Sequence, residues 1–240
     1  MRRIALLALA LAASTALAAS PATAQPYRRA HRYDDAPNQL RLRLGIFTPE
    51  GDSEYWQDKE RDFTGAPDDF EDGILSGDYL YRLAPHLDLM VSASAYAGQQ
   101  DQEYRDFVDD RGDPIVHTTE LEITSFTLGL RARLLPEGAV IVPYVGVGGG
   151  AYLWRLGETG DFIDFAPADP EIFFADFAAE GTALGWYALA GLDVPLGSSV
   201  SLFAEGRWHQ ADDELGDDFR GFGDLDLSGT EVDAGVAWRF

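Results

Sequence analysis

Cysteine is absent from this chain, basic residues are few, and no long apolar run follows its N-terminal region. Without cysteine, a disulfide framework and thiolate chemistry are excluded. A membrane-spanning helix needs about 20 consecutive apolar residues, so we expect none after the first 24 residues. The 41 Asp and Glu residues against 18 Lys and Arg residues give a net charge of -23 over 240 residues. Such an acidic balance argues against nucleic acid as a partner.

The first 24 residues have the three parts of an export signal. Arg2 and Arg3 give a charged start, residues 4–13 are apolar, and the small residues 22–24 form a cleavage site. The alternative is a retained membrane anchor, but the apolar run is short and rich in alanine. We therefore expect a cleaved signal peptide at 1–24, an N-terminal periplasmic tail at 25–38 and one barrel domain at 39–240.

Eight later segments alternate apolar and polar residues with a period of two, which predicts β-strands with two unlike faces. We place these strands at residues 40–47, 73–83, 87–97, 120–134, 140–154, 184–194, 200–209 and 228–240. In the fourth strand Leu121 and Ile123 are out of phase with the later residues, which predicts a bulge near Thr124–Ser125. Aromatic residues near strand ends predict membrane girdles, and they are Tyr79, Tyr81, Trp154, Trp186, Trp208, Trp238 and Phe240.

The connections between these strands alternate in length. Three are tight turns, and four are long, at residues 50–72, 100–119, 155–182 and 210–226. Short turns on one side and long loops on the other are typical of bacterial outer-membrane barrels. The four long segments hold 30 of the 41 acidic residues and six of the 18 basic ones. The third is also rich in phenylalanine, which predicts a lid over the barrel mouth that includes a short helix.

The faces opposite the apolar band carry six basic and six acidic residues. They are Arg41, Arg43, Arg131, Arg133, Arg207, Arg239, Asp78, Asp88, Asp193, Glu205, Glu231 and Asp233. Charges enclosed in a narrow barrel must be paired, so we expect a structural salt-bridge network in the lumen. A gated ion path stays open as an alternative, because inward glycines could leave a local cavity: Gly146, Gly148, Gly150, Gly185 and Gly191.

Two further patterns bear on metal binding and catalysis. The densest acidic cluster, a weak candidate for Ca²⁺ or Mg²⁺, contains Asp212, Asp213, Asp217 and Asp218. His209 ends a late strand, as the histidine of lipid A deacylases does, but Ala211 stands where their nucleophile would be, and Ser228 has no supporting motif. We therefore expect no enzymatic activity and an interfacial place for His209. His117 falls in a predicted loop, and no metal-binding histidine spacing is visible.

The chain combines the export signal, the eight strands, the run from Pro143 to Gly150, the run from Gly191 to Pro195 and the final Phe240. In these features it resembles the small outer-membrane barrels of the OmpX/OmpW/OmpA-barrel type. The resemblance implies that the barrel assembly machinery recognises the last strand, chiefly through Trp238 and Phe240. It also implies contact with outer-membrane lipid and lipopolysaccharide in a Gram-negative cell envelope.

The sequence therefore predicts an all-β fold: an eight-stranded antiparallel up-and-down transmembrane β-barrel with three short periplasmic turns and four long extracellular loops. The predicted function is non-enzymatic, with a structural or surface-interaction role in the bacterial outer membrane and weak binding of divalent cations, without another cofactor. Two alternatives stay open. One is a narrow channel or conduit for a small or hydrophobic solute, and the other is a soluble periplasmic lipid-binding β-barrel.

Overall fold

A computed structural model describes residues 37–135, 139–166 and 170–240. The predicted signal peptide, nearly all of the predicted tail and the turn at 136–138 lie outside these ranges. In chain order the elements are β1 (Asn38–Pro49), α1 (Glu54–Asp62), β2 (Asp72–Ala84), β3 (Leu87–Val108), β4 (Pro114–Arg133), β5 (Val142–Asp164), β6 (Glu171–Pro195), β7 (Val200–Glu214), β8 (Asp224–Asp226) and β9 (Gly229–Arg239). Short 3₁₀ turns lie at Pro67–Phe70 and Asp217–Phe219.

Eight of these strands close into an antiparallel ring. Each strand from β1 to β7 pairs with the next along the chain, β9 pairs with β7, and β9 also pairs with β1. The three-residue β8 lies outside the ring and pairs with the end of β7. The predicted eight-stranded up-and-down barrel is confirmed. Within the part of the described ring where all eight strands pair, both edges of each strand are paired, as lipid requires.

The predicted bulge near Thr124–Ser125 is wrong. Leu121 to Ala132 of β4 pair without interruption with both β3 and β5. Leu121 and Ile123 are buried on the same inward face as Ser125 and Thr127. In chain order, the inward face of β4 changes from apolar at Leu121 and Ile123 to polar at Ser125 and Thr127, while the backbone keeps its register.

The barrel wall has an apolar exterior and a charged interior. On β1, Leu44 is 66% exposed and Ile46 is 51% exposed, while Arg41 and Arg43 are each 1% exposed. A barrel that is soluble in water has the reverse arrangement, with apolar side chains inside. The exposed apolar surface therefore faces lipid, which argues against the soluble periplasmic barrel.

Aromatic side chains mark both limits of the apolar band. The lower rim has four, all exposed: Tyr79, Tyr81, Trp238 and Phe240. At the upper rim the exposed rings of Trp186 and Trp208 meet edge to face at 5.0 Å, and Trp208 donates a hydrogen bond to Glu50. The placement of Trp154 in the girdle is wrong. Its side chain is buried inside the barrel, where it donates to Asp213.

Strands β3 to β6 continue beyond the apolar band. Glu122, Arg155 and Glu180 lie opposite one another on the outer face and are exposed, so this charged row marks where lipid contact ends on that side. A strand needs about 9–11 residues to cross a membrane, whereas β5 has 23 residues and β6 has 25. Much of the predicted loops at 100–119 and 155–182 is therefore strand, not loop. Within the described ranges, no helix is long and apolar enough to cross a membrane.

The barrel mouth is covered by the first and fourth connections. From the first, Tyr55 and Trp56 of α1 are buried, and the Trp56 indole donates to the carbonyl of Asp226 at 3.1 Å. Phe219 and Leu225 of the fourth connection are buried in the same apolar cluster. The prediction that the third connection forms this lid with a helix is wrong, because its phenylalanines lie mainly on β5 and β6.

Candidate functional site

The lower half of the lumen holds a continuous network of buried ion pairs. All twelve of the inward charged residues singled out in the sequence are buried. Arg43 lies at the centre, where its Nη1 is 2.6 Å from Asp233 and 3.0 Å from Glu231. Its Nε is 3.4 Å from Asp78 on the neighbouring strand β2. One guanidinium thus joins β1 to both of its neighbours in the ring.

A second group of contacts crosses the lumen from β1 to β5 and β7. Arg41 contacts Glu205 at 3.1 Å and donates to the Tyr144 hydroxyl at 2.6 Å, and that hydroxyl donates to Glu205 at 2.8 Å. Arg207 contacts Glu205 at 2.5 Å and Asp78 at 3.2 Å. These side chains span between opposite walls, so they fill the lumen as well as line it.

A third group closes the periplasmic end. Arg131 lies 2.8 Å from Asp88 and 3.1 Å from Asp193, while Arg133 lies 3.1 Å from Asp88. Arg239 is buried in the wall of a cavity of about 10 Å³ at this end. That space holds about one water molecule.

Aromatic rings occupy the space beside the inward glycines. A Cβ atom at Gly148 would overlap the Tyr187 hydroxyl, and one at Gly191 would overlap the Tyr144 ring. The glycines thus admit large rings into a narrow lumen. These rings occupy space that the inward glycines could have left as a local cavity. Above the network, a cavity of about 20 Å³ remains, lined partly by Tyr96.

The predicted interfacial position of His209 is wrong. The side chain is buried in the lumen, where its Nε2 lies 2.9 Å from Glu231 and its Nδ1 lies 3.1 Å from the Tyr152 hydroxyl. The Ser228 hydroxyl instead contacts the backbone of Ala211. No arrangement of nucleophile and base is formed by these groups.

The aspartates of the weak metal candidate are not assembled around a common point. The Asp213 carboxylate accepts from Trp154, the Asp218 carboxylate accepts from the backbone N–H of Ala178, and Asp212 is exposed on β7. Across the described residues, no group of three or more His, Cys, Asp or Glu side chains could hold a metal ion. Weak divalent binding at this surface stays a prediction.

Sequence reasoning missed a second buried charged cluster, which lies at the mouth. Lys59, the single lysine of the chain, lies on α1 with its Nζ 2.9 Å from Glu158 and 2.8 Å from His117 Nε2. The Tyr55 hydroxyl donates to Glu158 at 2.7 Å. His117 is 1% exposed on β4, so its predicted place in a loop is also wrong. Its alternation with buried Thr119 and Leu121 is the sequence signal that could have revealed it.

This cluster lies above the charged row that ends lipid contact, and its titration follows from burial. Burial lowers the pKa of His117 to about 4, and the neighbouring Lys59 ammonium adds to the effect. The neutral imidazole can then accept the hydrogen bond that Lys59 donates. Burial also lowers the pKa of Lys59, against the attraction of Glu158, and raises the pKa of Tyr55. The contacts tie α1 to the inner faces of β4 and β5.

A larger cavity of about 460 Å³ lies beside this cluster on the extracellular side. It is bounded by α1, by the extensions of β3, β5 and β6, and by the fourth connection. The Phe63 and Tyr104 rings meet at 4.5 Å on one wall, and the Phe162 and Phe177 rings meet at 5.0 Å on another.

Among the solved structures that this chain resembles, one supports the same architecture. The outer membrane protein OprG from Pseudomonas aeruginosa is 14% identical, with 85% of this chain and 96% of that chain covered and a TM-score of 0.55. Neisserial surface protein A is 13% identical, with 85% and 96% covered and a TM-score of 0.48. At such identities the likeness to OprG shows the fold alone. The search among curated proteins gives no significant match.

The family comparison covers nearly the whole chain. Residues 5–240 match the family described as the outer membrane protein beta-barrel domain. That match agrees with the closed ring, the apolar exterior and the aromatic rims described above. The chain therefore belongs to the outer membrane protein beta-barrel family and resides in the bacterial outer membrane.

Proposed function

We propose that this protein is a sealed, non-enzymatic outer-membrane barrel that acts through its extracellular surface, in a structural or surface-interaction role. The observation that carries the proposal is the network of buried ion pairs that crosses the lumen from β1 to β5 and β7. An eight-stranded barrel is only wide enough for its side chains to fill. Here those side chains are joined by short charged contacts, so they do not move apart independently.

Energetics favour a lumen that stays closed. A path for ions through the network would separate Arg43 from Glu231 and Asp233, or Arg41 from Glu205. Breaking one buried ion pair costs roughly 3–5 kcal/mol, and the contacts here share partners. Opening therefore requires several such losses together, which argues against the channel or conduit alternative.

The absence of enzymatic activity is supported by what His209 contacts. Its two ring nitrogens are engaged by Glu231 and Tyr152. A hydrolase of the serine type needs a nucleophile within hydrogen-bond reach of its base, and Ala211 has no such group. We propose that His209 is a structural part of the lumen network.

Outside the lumen, the proposed partners are those of the envelope. The apolar band contacts outer-membrane lipid, and the acidic connections lie where divalent cations can join carboxylates to lipopolysaccharide phosphates. The barrel assembly machinery is the proposed partner of Trp238 and Phe240, which are exposed on the outer face at the end of β9. The backbone of Phe240 is also hydrogen-bonded to Asn38 at the seam.

Planar-bilayer conductance tests the proposal. The refolded full-length chain is added to a bilayer after a heat-modifiability gel has shown that it is folded, and a general porin is added to the same chamber as a positive control. We expect no discrete openings from this protein. Reproducible openings from the folded fraction would overturn the sealed-barrel proposal.

A further inference from the structure

The extracellular cavity of about 460 Å³ has the size of a small-molecule site. Ligand pockets are typically about 300–1,000 Å³ and combine apolar walls with a few polar groups. This cavity is lined by aromatic side chains on several elements: Tyr55, Phe63, Tyr104, Phe162, Phe177 and Phe222. Because the lumen below is filled, a molecule bound here would be held at the surface.

The walls of the cavity are fixed by contacts that do not depend on a ligand. Phe63 and Tyr104 form an isolated β-bridge that joins the end of α1 to β3. The Tyr104 hydroxyl accepts a hydrogen bond from the backbone of Ile163 on β5 at 3.2 Å. Lys59 joins the other side of α1 to Glu158. The cavity therefore lies between elements that are already tied together.

The charge of the lining is negative. Five carboxylates and two cations border the cavity: Asp58, Asp62, Asp106, Glu158, Asp218, Lys59 and Arg61. Lys59 is paired with Glu158, and Arg61 is paired with Asp58 and Asp62. Among the described residues, neither Asp106 nor Asp218 has a cationic partner. Both are exposed at the rim.

We propose that this cavity binds a small lipophilic cation, such as an aromatic or quaternary ammonium compound, at the extracellular face. Aromatic faces attract cations, by about 0.5–1 kcal/mol at exposed sites and by about 2 kcal/mol or more in desolvated ones. The unpaired rim carboxylates add attraction for a positive charge and repel anions. The inference deepens the proposed surface role and rests on it, while binding and conductance are measured separately.

The test uses two water-soluble probes of similar shape and opposite charge, benzyltrimethylammonium and benzylsulfonate. Each is titrated by ligand-observed NMR into the folded full-length protein in zwitterionic micelles, and the signal from protein-free micelles is subtracted. We expect saturable binding of the cation and none of the anion over the same concentration range. Equal binding of both probes, or no binding of the cation, would overturn the proposal.

Two pairs of variants locate the site. The double variant D106N/D218N removes the rim charges, while the new amide side chain at position 218 keeps an oxygen that can accept from the Ala178 N–H. We expect cation binding to weaken roughly three- to tenfold in this variant. Its control is D110N/D217N, which removes two exposed carboxylates that do not line the cavity. An equal loss in both would show diffuse attraction and contradict a site.

The second pair tests the aromatic wall. Phe222 lines the cavity and is 48% exposed, so Phe222→Ala removes a ring with little effect on the core. Phe174→Ala removes an exposed ring from β6 that does not line it. We expect the first to weaken cation binding roughly two- to fivefold and the second to leave it unchanged. Binding that is insensitive to both the rim and Phe222 would refute the assignment.

Discussion

Acidification should loosen the helix that covers the barrel mouth, because His117 is held neutral against Lys59. The pKa of His117 falls from 6.5 to about 4 in the folded protein, chiefly through burial. A base whose pKa is lowered by folding favours the folded arrangement at high pH. That stability is lost as the pH falls from about 6.5 towards 4.

The magnitude follows from the two pKa values. The full difference corresponds to about 3 kcal/mol, and about 2 kcal/mol of it is lost between pH 7 and pH 5. Protonation also places an imidazolium beside the Lys59 ammonium, with the two nitrogens now 2.8 Å apart. If α1 must undock before His117 is protonated, opening of α1 rises roughly 20-fold over this range.

Hydrogen–deuterium exchange of the α1 amides, corrected for the intrinsic effect of pH, measures this opening. The matched variant His117→Gln keeps an acceptor for Lys59 but carries no charge at any pH, so its α1 exchange should change much less. His86→Gln serves as the control, since it removes an exposed imidazole from the turn between β2 and β3. The same pH dependence in the wild type and in His117→Gln would show that protonation of His117 does not open α1.

Three further outcomes are expected. Arg43→Met leaves Glu231 and Asp233 without their nearest cation, so urea unfolding in lipid vesicles should show a free energy of unfolding lower by roughly 3–5 kcal/mol. Arg61→Ala, at the exposed surface of α1, should leave the unfolding midpoint unchanged. Comparable losses in both variants would contradict a stabilising role of the network. Phe240→Ala should lower the amount of folded barrel in outer-membrane fractions more than Val232→Ala, which changes an exposed residue on β9. An equal yield of the two variants would count against an assembly signal at Phe240. A variant with four alanines replaces Asp212, Asp213, Asp217 and Asp218. Calorimetric Ca²⁺ titration should show weak binding that is nearly the same in this variant and in the wild type. A tight site that is lost in the variant would contradict diffuse binding.

The alternation of residues predicted the ring and the inward charges because a lipid-facing strand allows few exceptions to a period of two. It did not predict how far the strands extend. Above the charged row at Glu122, Arg155 and Glu180, polar and apolar residues are mixed on the outer face, so the contrast between faces that identified the strands is lost. The segment from 155 to 182 was therefore predicted to be a loop although most of it is paired strand.

Three predictions are wrong because they rest on the type of a residue and not on its position in the period-two alternation of its strand. Trp154 and His209 were placed at the membrane surface because such residues are common there. Their alternation with neighbours that face inward puts both inside. Leu121 and Ile123 suggested a bulge because the inward face was expected to be polar throughout. The docking of α1 onto this apolar upper lumen depends on contacts between distant residues, such as Tyr55 with Glu158, which no local pattern predicts.

The unequal height of the wall has a consequence for how other molecules reach the mouth. Strands β1, β2, β7 and β9 end near the upper rim, whereas β3 to β6 continue past the charged row. A large partner such as an antibody or a phage fibre therefore meets the extensions of β3 to β6 first. A small molecule that diffuses along the membrane surface reaches the covered mouth from the low side. The strand extensions and the mouth are thus two separate contact surfaces of one barrel, the first for large partners and the second for small molecules.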